Sequence, residues 1–151
     1  MEARPVERKD LRALFQLNVA KDRRHLIAGT EYTIAEAAYD RGAYVWGLWD
    51  GETAVGLLGM VHPGQAEEAD DCCLNDAAHV WRLLIDTRHQ GKGYGRAALA
   101  FAEQQARDWG FTRINLTSVD GPGSAVKYYE NQGYRRTGRI AYDEVELIRD
   151  L

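Results

Sequence analysis

Apolar positions change their spacing several times along the chain, and each change predicts an element. Residues 9–17 place Leu11, Leu14 and Phe15 at helical spacing, and residues 21–27 continue the helical pattern. Residues 33–39 predict another helix, with Thr33 as its N-cap and Glu36 three positions on, the spacing of a capping box. Residues 43–49 and 53–62 are dense in aromatic and aliphatic side chains and read as two strands, with Asp50-Gly51 as a tight hairpin between them. Residues 64–76 break the pattern as a loop carrying Glu67, Glu68, Asp70, Asp71 and Asp76 and no Lys or Arg. Residues 79–86 form the next strand. Helical periodicity returns over 97–109, with Ala98, Leu99, Ala102, Ala106 and Trp109 on one face and Gly110 as a left-handed stop. A strand over 113–118, a short helix over 124–132 and strands over 134–140 and 144–151 complete the chain. The strand–helix–strand crossover makes its two strands parallel. The expectation is one α+β domain over residues 1–151, with a central mixed, mostly antiparallel sheet flanked by helices.

The turn entering the long helix is the most informative stretch. Gln90-Gly91-Lys92-Gly93-Tyr94-Gly95-Arg96 joins a strand to a helix start. The first N–H groups of a helix have no internal partner and its dipole favours an anion, so a glycine-rich turn there is either a tight connection or a phosphate cradle. A dinucleotide fingerprint needs a third glycine where Arg96 stands, and no G-x-x-x-x-G-K-[ST] occurs, so both common nucleotide motifs fail. What remains is Gln90-x-x-Gly93-x-Gly95, with Lys92 and Arg96 adding positive charge.

That pattern resembles the acetyl-CoA pyrophosphate loop of the GNAT superfamily of N-acetyltransferases. A second signature of that superfamily, A-x-x-x-Y-E-x-x-G-F, is similar to Ala125, Tyr129, Glu130, Gly133 and Tyr134. Residues 81–90, together with Glu31 to Ala37, Thr137-Gly138 and Glu144, resemble a bacterial branch described as diamine or polyamine (spermine/spermidine) acetyltransferases, over roughly residues 18–151. The chain departs from the superfamily at Pro122, where many members carry a cofactor-contacting asparagine.

The resemblance implies a GNAT-like sheet whose parallel pair splays apart. It implies acetyl-CoA as cosubstrate, held by Leu83, Leu84, Ile85, Gln90, Gly91, Lys92, Gly93, Tyr94, Gly95, Arg96 and Tyr129. A backbone N–H near Leu84 or Ile85 would face the thioester oxygen, and Tyr129 would donate to the leaving sulfur, with Tyr128 as its neighbour and competitor. An acceptor ammonium must first lose a proton, which at pH 7 costs about 4.6 kcal/mol for a group of pKa near 10.4. The candidate acceptors of that proton are Glu31, Glu36, Asp86 and Glu144. The acceptor would be a small primary amine, a diamine or polyamine. An antibiotic- or protein N-terminal-acetylating enzyme and a noncatalytic acyl-CoA-binding module are the alternatives. A homodimer is a further possibility, as dimers are frequent in the family.

Composition narrows the remainder. A chain of 151 residues with 45% hydrophobic and 28% charged positions can bury a substantial core. A net charge of −4 argues against nonspecific nucleic-acid binding, since the basic residues at Arg4, Arg8, Lys9, Arg12, Lys21, Arg23 and Arg24 are interleaved with acids. No apolar run approaches membrane-spanning length and the first residues carry no signal-peptide core, so a cytoplasmic protein is expected. Cys72 and Cys73 are adjacent, which suits two reduced thiols, and no metal site is expected. His62, His79 and His89 are read as structural, and Trp46, Trp49 and Trp81 as fillers of the sheet core, with Trp81 near the expected cleft.

Overall fold

A computed structural model of the chain describes residues 1–18, 29–66 and 74–151. The expected helix over 21–27, Cys72, Cys73 and the loop acids Glu67, Glu68, Asp70 and Asp71 lie outside the described residues. Among the described residues, one sheet runs in the order β1-β2-β3-β4-β5-β7-β6. Its strands are β1 (Glu2–Pro5), β2 (Ala43–Asp50), β3 (Thr53–Val61), β4 (Ala78–Ile85), β5 (Arg113–Val119), β6 (Arg135–Ala141) and β7 (Glu144–Asp150). The helices are α1 (Leu11–Leu14), α2 (Thr30–Ala37), α3 (Tyr94–Asp108) and α4 (Val126–Asn131). All pairings are antiparallel except β4 with β5. This is the expected mixed sheet, and its parallel pair is joined only at Ala78–Ile114, His79–Asn115 and Val80–Leu116. Beyond Val80 the two strands part.

Alternation along the strands sends side chains into two layers. Leu48, Leu58, Met60, Val80, Ile114, Leu116 and Leu147 meet Ala98, Leu99, Ala102 and Ala106 of α3 on one face, which is the helix face expected from periodicity. Leu57, Trp49 and Leu84 meet Leu14 of α1, with Ile34 of α2 packed against them, on the other. The face opposite α3 also buries a polar chain. His79 Nδ1 lies 3.1 Å from Asn115 Oδ1, and Asn115 Nδ2 donates to Glu146 Oε1 at 3.0 Å. Glu146 also accepts from Thr137 Oγ1 at 2.6 Å and Arg139 Nη1 at 2.8 Å. Because Asn115 gives its amide hydrogens to Glu146, its oxygen is left to accept, so His79 Nδ1 donates.

Several expectations are corrected. Strand β1 is absent from the pattern reading, because four residues ending in Pro5 show no alternation and owe their conformation to pairing with β2. The helix expected over 9–17 is a 3-10 turn, Arg8–Asp10, followed by the short α1. Thr33 is not an N-cap. Helix α2 starts at Thr30 behind Gly29, whose φ of −63° and ψ of 160° are the extended values a cap requires. Thr33 is buried inside the helix and its hydroxyl donates to Gly29 O at 3.0 Å. Trp46 and Trp49 fill the core as expected, but Trp81 is only half-buried. It is the extra residue of a β-bulge opposite Gly59 and Met60, and the Arg82 guanidinium lies 4.8 Å from its ring centroid.

Candidate functional site

Helix α3 begins at Tyr94, three positions before the periodic run, because Gly93 serves as its N-cap at φ 85°. That left-handed conformation costs an L-residue about 1–2 kcal/mol and glycine almost nothing. A Cβ built at Gly91 or Gly93 would meet no protein atom within 4 Å. The backbone of the turn is therefore open to a ligand rather than packed against the protein.

The turn forms one wall of a cavity of about 490 Å³, within the range of ligand sites. Leu83, Ile85, Gln90, Gly91, Gly93, Tyr94, Gly95, Arg96 and Tyr129 line it. Lys92 is exposed at the tip of the turn and adds charge beside the cavity rather than lining it. Leu84 departs from expectation, since its side chain packs into the second layer with Leu14, Trp49 and Leu57. The backbone explains the difference. The N–H of Asp86 bonds Val55 O at 3.0 Å, and Leu84 stands opposite Leu57 in the same ladder. Successive N–H groups point to opposite sides of a strand, so those of Leu83 and Ile85 turn to the side where the β5 ladder has ended. Of the two positions expected to offer a free N–H, Leu84 and Ile85, it is Ile85, together with Leu83, whose N–H points away from β3.

His89, Ser124, Ala125, Tyr128 and Gln132 also line the cavity. Of these, Ala125 belongs to the second signature and His89 to the stretch 81–90, whereas Ser124 and Gln132 are not singled out in the sequence as site residues. His89 closes the 3-10 turn Thr87–His89, and its ring lies edge-on to Tyr94 at 6.3 Å. Tyr94 Oη donates to Asp50 Oδ2 at 2.5 Å, tying the helix start to the β2–β3 hairpin. Gln90 Nε2 donates to Ile85 O at 3.1 Å, holding the turn against the end of β4.

The opposite wall is α4. The A-x-x-x-Y-E-x-x-G-Y signature is physically a helix followed by a Schellman cap. Tyr134 N donates to Tyr129 O at 3.1 Å and Gly133 N to Glu130 O at 3.0 Å, with Gly133 at φ 92°. The apolar contact that accompanies such a cap is aromatic here, the Tyr129 and Tyr134 rings lying 6.1 Å apart. Tyr129 is buried, and burial first, then Tyr128 and Glu144, raise its phenol pKa well above the usual value. Tyr128 is half-exposed, its pKa raised by burial against an opposing effect of Arg96. Its hydroxyl sits over the α3 start, 2.7 Å from where a Cβ of Gly95 would be. Both tyrosines therefore reach the cavity.

The candidate carboxylates are not brought together. Glu144 opens β7 opposite Val119 and acts electrostatically on Tyr129. Glu36 lies 3.9 Å from Arg82 across the second layer, and Glu31 is exposed on the first turn of α2. Asp86 is fully buried and saturated. It accepts from Arg88 Nη2 at 2.6 Å, Arg88 Nε at 2.9 Å, Arg88 N at 2.8 Å and Asn18 N at 3.0 Å. The Arg88 hydrogen bond dominates in pulling its pKa down to about 2. A carboxylate so held is a poor proton acceptor, and its role is to fasten the first segment of the chain to the turn. Asp76 at the end of the acidic loop pairs with Arg113. The ring of His62 packs on Trp109 and Phe111, at centroid distances of 5.2 Å and 5.0 Å. Among the described residues no group of three or more His, Cys, Asp or Glu is placed to hold a metal ion, and no helix is long and apolar enough to cross a membrane.

A model of the acetyltransferase (GNAT) family matches residues 9–134. The chain is 28% identical over 112 residues to N-acetyltransferase 8 of Rattus norvegicus, covering 74% of this chain and 48% of that protein. It thus spans about half the length of that relative. It is 25% identical over 142 residues to spermine/spermidine N(1)-acetyltransferase of Bacillus subtilis (strain 168), covering 92% of this chain and 91% of that protein. Among solved structures it is similar to an acetyltransferase from Thermus thermophilus, with a TM-score of 0.76, 22% identity and coverage of 99% of this chain and 96% of that one. It is also similar to PaiA N-acetyltransferase from Thermoplasma acidophilum in complex with coenzyme A, with a TM-score of 0.69, 14% identity and coverage of 99% and 98%. At these identities the structural likeness establishes the fold.

Proposed function

The chain belongs to the acetyltransferase (GNAT) family, and from that premise we propose that it transfers the acetyl group of acetyl-CoA to a primary amine. One observation carries this reading: the open α3 start and the buried Tyr129 face each other across the splayed end of β4, around a single cavity. The N–H groups from Gly91 to Arg96 suit the pyrophosphate, with Lys92 and Arg96 supplying charge. The fit is supported by the open space where side chains at Gly91 and Gly93 would stand. The N–H groups of Leu83 and Ile85 suit the acyl and pantetheine part, and a fixed donor near the thioester oxygen stabilises the charge that develops there.

Tyr129 serves the leaving sulfur. A tyrosine of ordinary pKa is about 2 kcal/mol too weak an acid to protonate a thiolate fully. Burial and Glu144 widen that gap. Its contribution is therefore a hydrogen bond that strengthens as charge accumulates on sulfur. Glu144, the carboxylate within electrostatic range of Tyr129, is the best placed of the candidates to draw the acceptor's proton, directly or through water. Glu31 and Glu36 supply negative charge on the α2 side.

A diamine or polyamine such as spermine or spermidine is the acceptor this reading favours. The support is the relative that matches over nearly its whole length and the carboxylates of α2 and β7. The test is a panel of polyamines, monoamines, an aminoglycoside and a peptide N-terminus with acetyl-CoA, read by thiol release. Polyamine turnover above that of monoamines of equal length is the expected result. Turnover of the aminoglycoside or peptide with inert polyamines would reject the acceptor and keep the transferase. Acetyl-CoA binding without turnover of any amine would favour a noncatalytic acyl-CoA-binding module.

A further inference from the structure

We infer that Arg149 is a positioning residue for Tyr129, acting through the C-terminal cap of α4; the inference rests on the transferase reading above. Helix α4 has only six residues, Val126–Asn131, too few to hold a register by its own hydrogen bonds. The direction of the Tyr129 side chain must be set by what grips the ends of the helix. At the C-terminal end that grip is Arg149 of β7. Its Nη1 donates to Gln132 O, the cap residue's carbonyl, at 2.7 Å and to Glu103 Oε1 of α3 at 2.9 Å. Its guanidinium lies 6.0 Å from the centroid of the Tyr134 ring, and a Cβ at Gly133 would lie 3.8 Å from its Cζ.

Every contact in this group leads to Tyr129. Tyr134 holds the Tyr129 carbonyl with its amide and packs its ring on that of Tyr129. The Tyr134 hydroxyl is drawn to the same Glu103 oxygen, at 3.4 Å. Glu103 is 8% exposed on the buried face of α3, a position that periodicity assigns to an apolar residue. Burying a carboxylate there carries a desolvation cost that a well-packed apolar pair would avoid. What the ion pair adds is direction. Guanidinium geometry fixes the cap carbonyl, the α3 carboxylate and the Tyr134 ring in one arrangement, and so ties the α4 wall of the cavity to the α3 wall.

The test is a double-mutant cycle on the full chain, with Arg149→Met, Tyr129→Phe and both together, assayed by thiol release with the best amine of the panel. Arg149→Met should lower kcat about tenfold with the KM for acetyl-CoA within about twofold. In the Tyr129→Phe background the same change should lower kcat less than about twofold, because the hydroxyl being aimed is gone. Arg149→Lys, which keeps one donor, should fall between. The loss of thermal stability should be the same in both backgrounds. A second readout needs no turnover. In protein labelled with 3-fluorotyrosine, the Tyr129 fluorine resonance, assigned by its disappearance in Tyr129→Phe, should move in Arg149→Met while that of the exposed Tyr39 stays. Failure of the wild type to acetylate any amine would bear on the transferase reading, and the fluorine measurement would still decide the positioning. Equal kcat losses in both backgrounds, or an unmoved Tyr129 resonance, would overturn the inference. If Arg149→Met does not fold, Arg149→Lys and Glu103→Gln carry the same cycle.

Discussion

Replacing Gly93 by alanine separates backbone strain from ligand exclusion, because the structure supplies a matched control. Gly93 and Gly110 bracket α3 at nearly equal left-handed angles, φ 85° and 87°, and a Cβ at either would meet no protein atom within 4 Å. Alanine at either position should therefore pay the same conformational cost, about 1–2 kcal/mol. For a chain of this size that lowers Tm by about 2–8 °C. The two sites differ in what lies outside. A methyl group at Gly93 projects into the open cradle at the helix start, whereas one at Gly110 projects into solvent at the other end. Gly93→Ala should raise the acetyl-CoA dissociation constant tenfold or more, about 1.4 kcal/mol or above, and Gly110→Ala should leave it unchanged. Differential scanning fluorimetry measures the first quantity and isothermal titration with acetyl-CoA the second. Equal destabilisation with unchanged acetyl-CoA affinity in Gly93→Ala would show that the turn is only a tight connection.

Tyr129→Phe should lower kcat by about 10- to 100-fold with acetyl-CoA affinity unchanged, the signature of an interaction that strengthens in the transition state. Tyr128→Phe should cost much less, and the reverse ranking in steady-state assays would mean that the two tyrosines have been assigned the wrong way round. Asp86→Asn should destabilise the protein by about 1–2 kcal/mol at neutral pH, measured by urea unfolding. Because the Asp86 pKa is depressed to about 2, the gap between wild type and variant should be full above the unfolded carboxylate pKa and close as pH falls through about 2. A gap that persists in strong acid would assign the effect to packing instead. Added salt should raise the KM of a polyamine more than that of a monoamine, since exposed charges are screened over about 8–10 Å. Parallel salt responses of the two would remove the carboxylates from acceptor recognition.

Legibility in the sequence follows the range of the interactions involved. The turn at Gln90 to Arg96 and the α4 cap are readable because their determinants lie close together, a left-handed glycine with a tyrosine directly after it. The same holds for the β2–β3 hairpin and the apolar face of α3. Thr33 misleads because its spacing to Glu36 mimics a capping box, while the extended backbone needed for a cap falls on Gly29. Strand β1 is invisible because its partner is β2, far along the chain. The saturation of Asp86 depends on Asn18, 68 residues away, as well as on Arg88 beside it, so a buried structural acid and a catalytic one look alike in sequence. The grip of Arg149 on Glu103 joins residues 46 apart. The choice between Leu84 and Ile85 turns on which way an N–H points, which one bulge at Trp81 is enough to reset.

The short seam between β4 and β5 has a consequence for how the protein is kept. The seam holds β4 to β5 at three pairs, whereas β2 meets β3 at eight and β5 meets β7 at seven. With only three rungs, the seam is the natural line of first opening. A molecule lying along the open side of β4 and gripping both α3 and α4 would act as added rungs. At a hundredfold excess over its dissociation constant it would contribute about 2.7 kcal/mol to the folded state. The lifetime of the chain would then be set in part by the supply of the acyl donor of the proposed transfer.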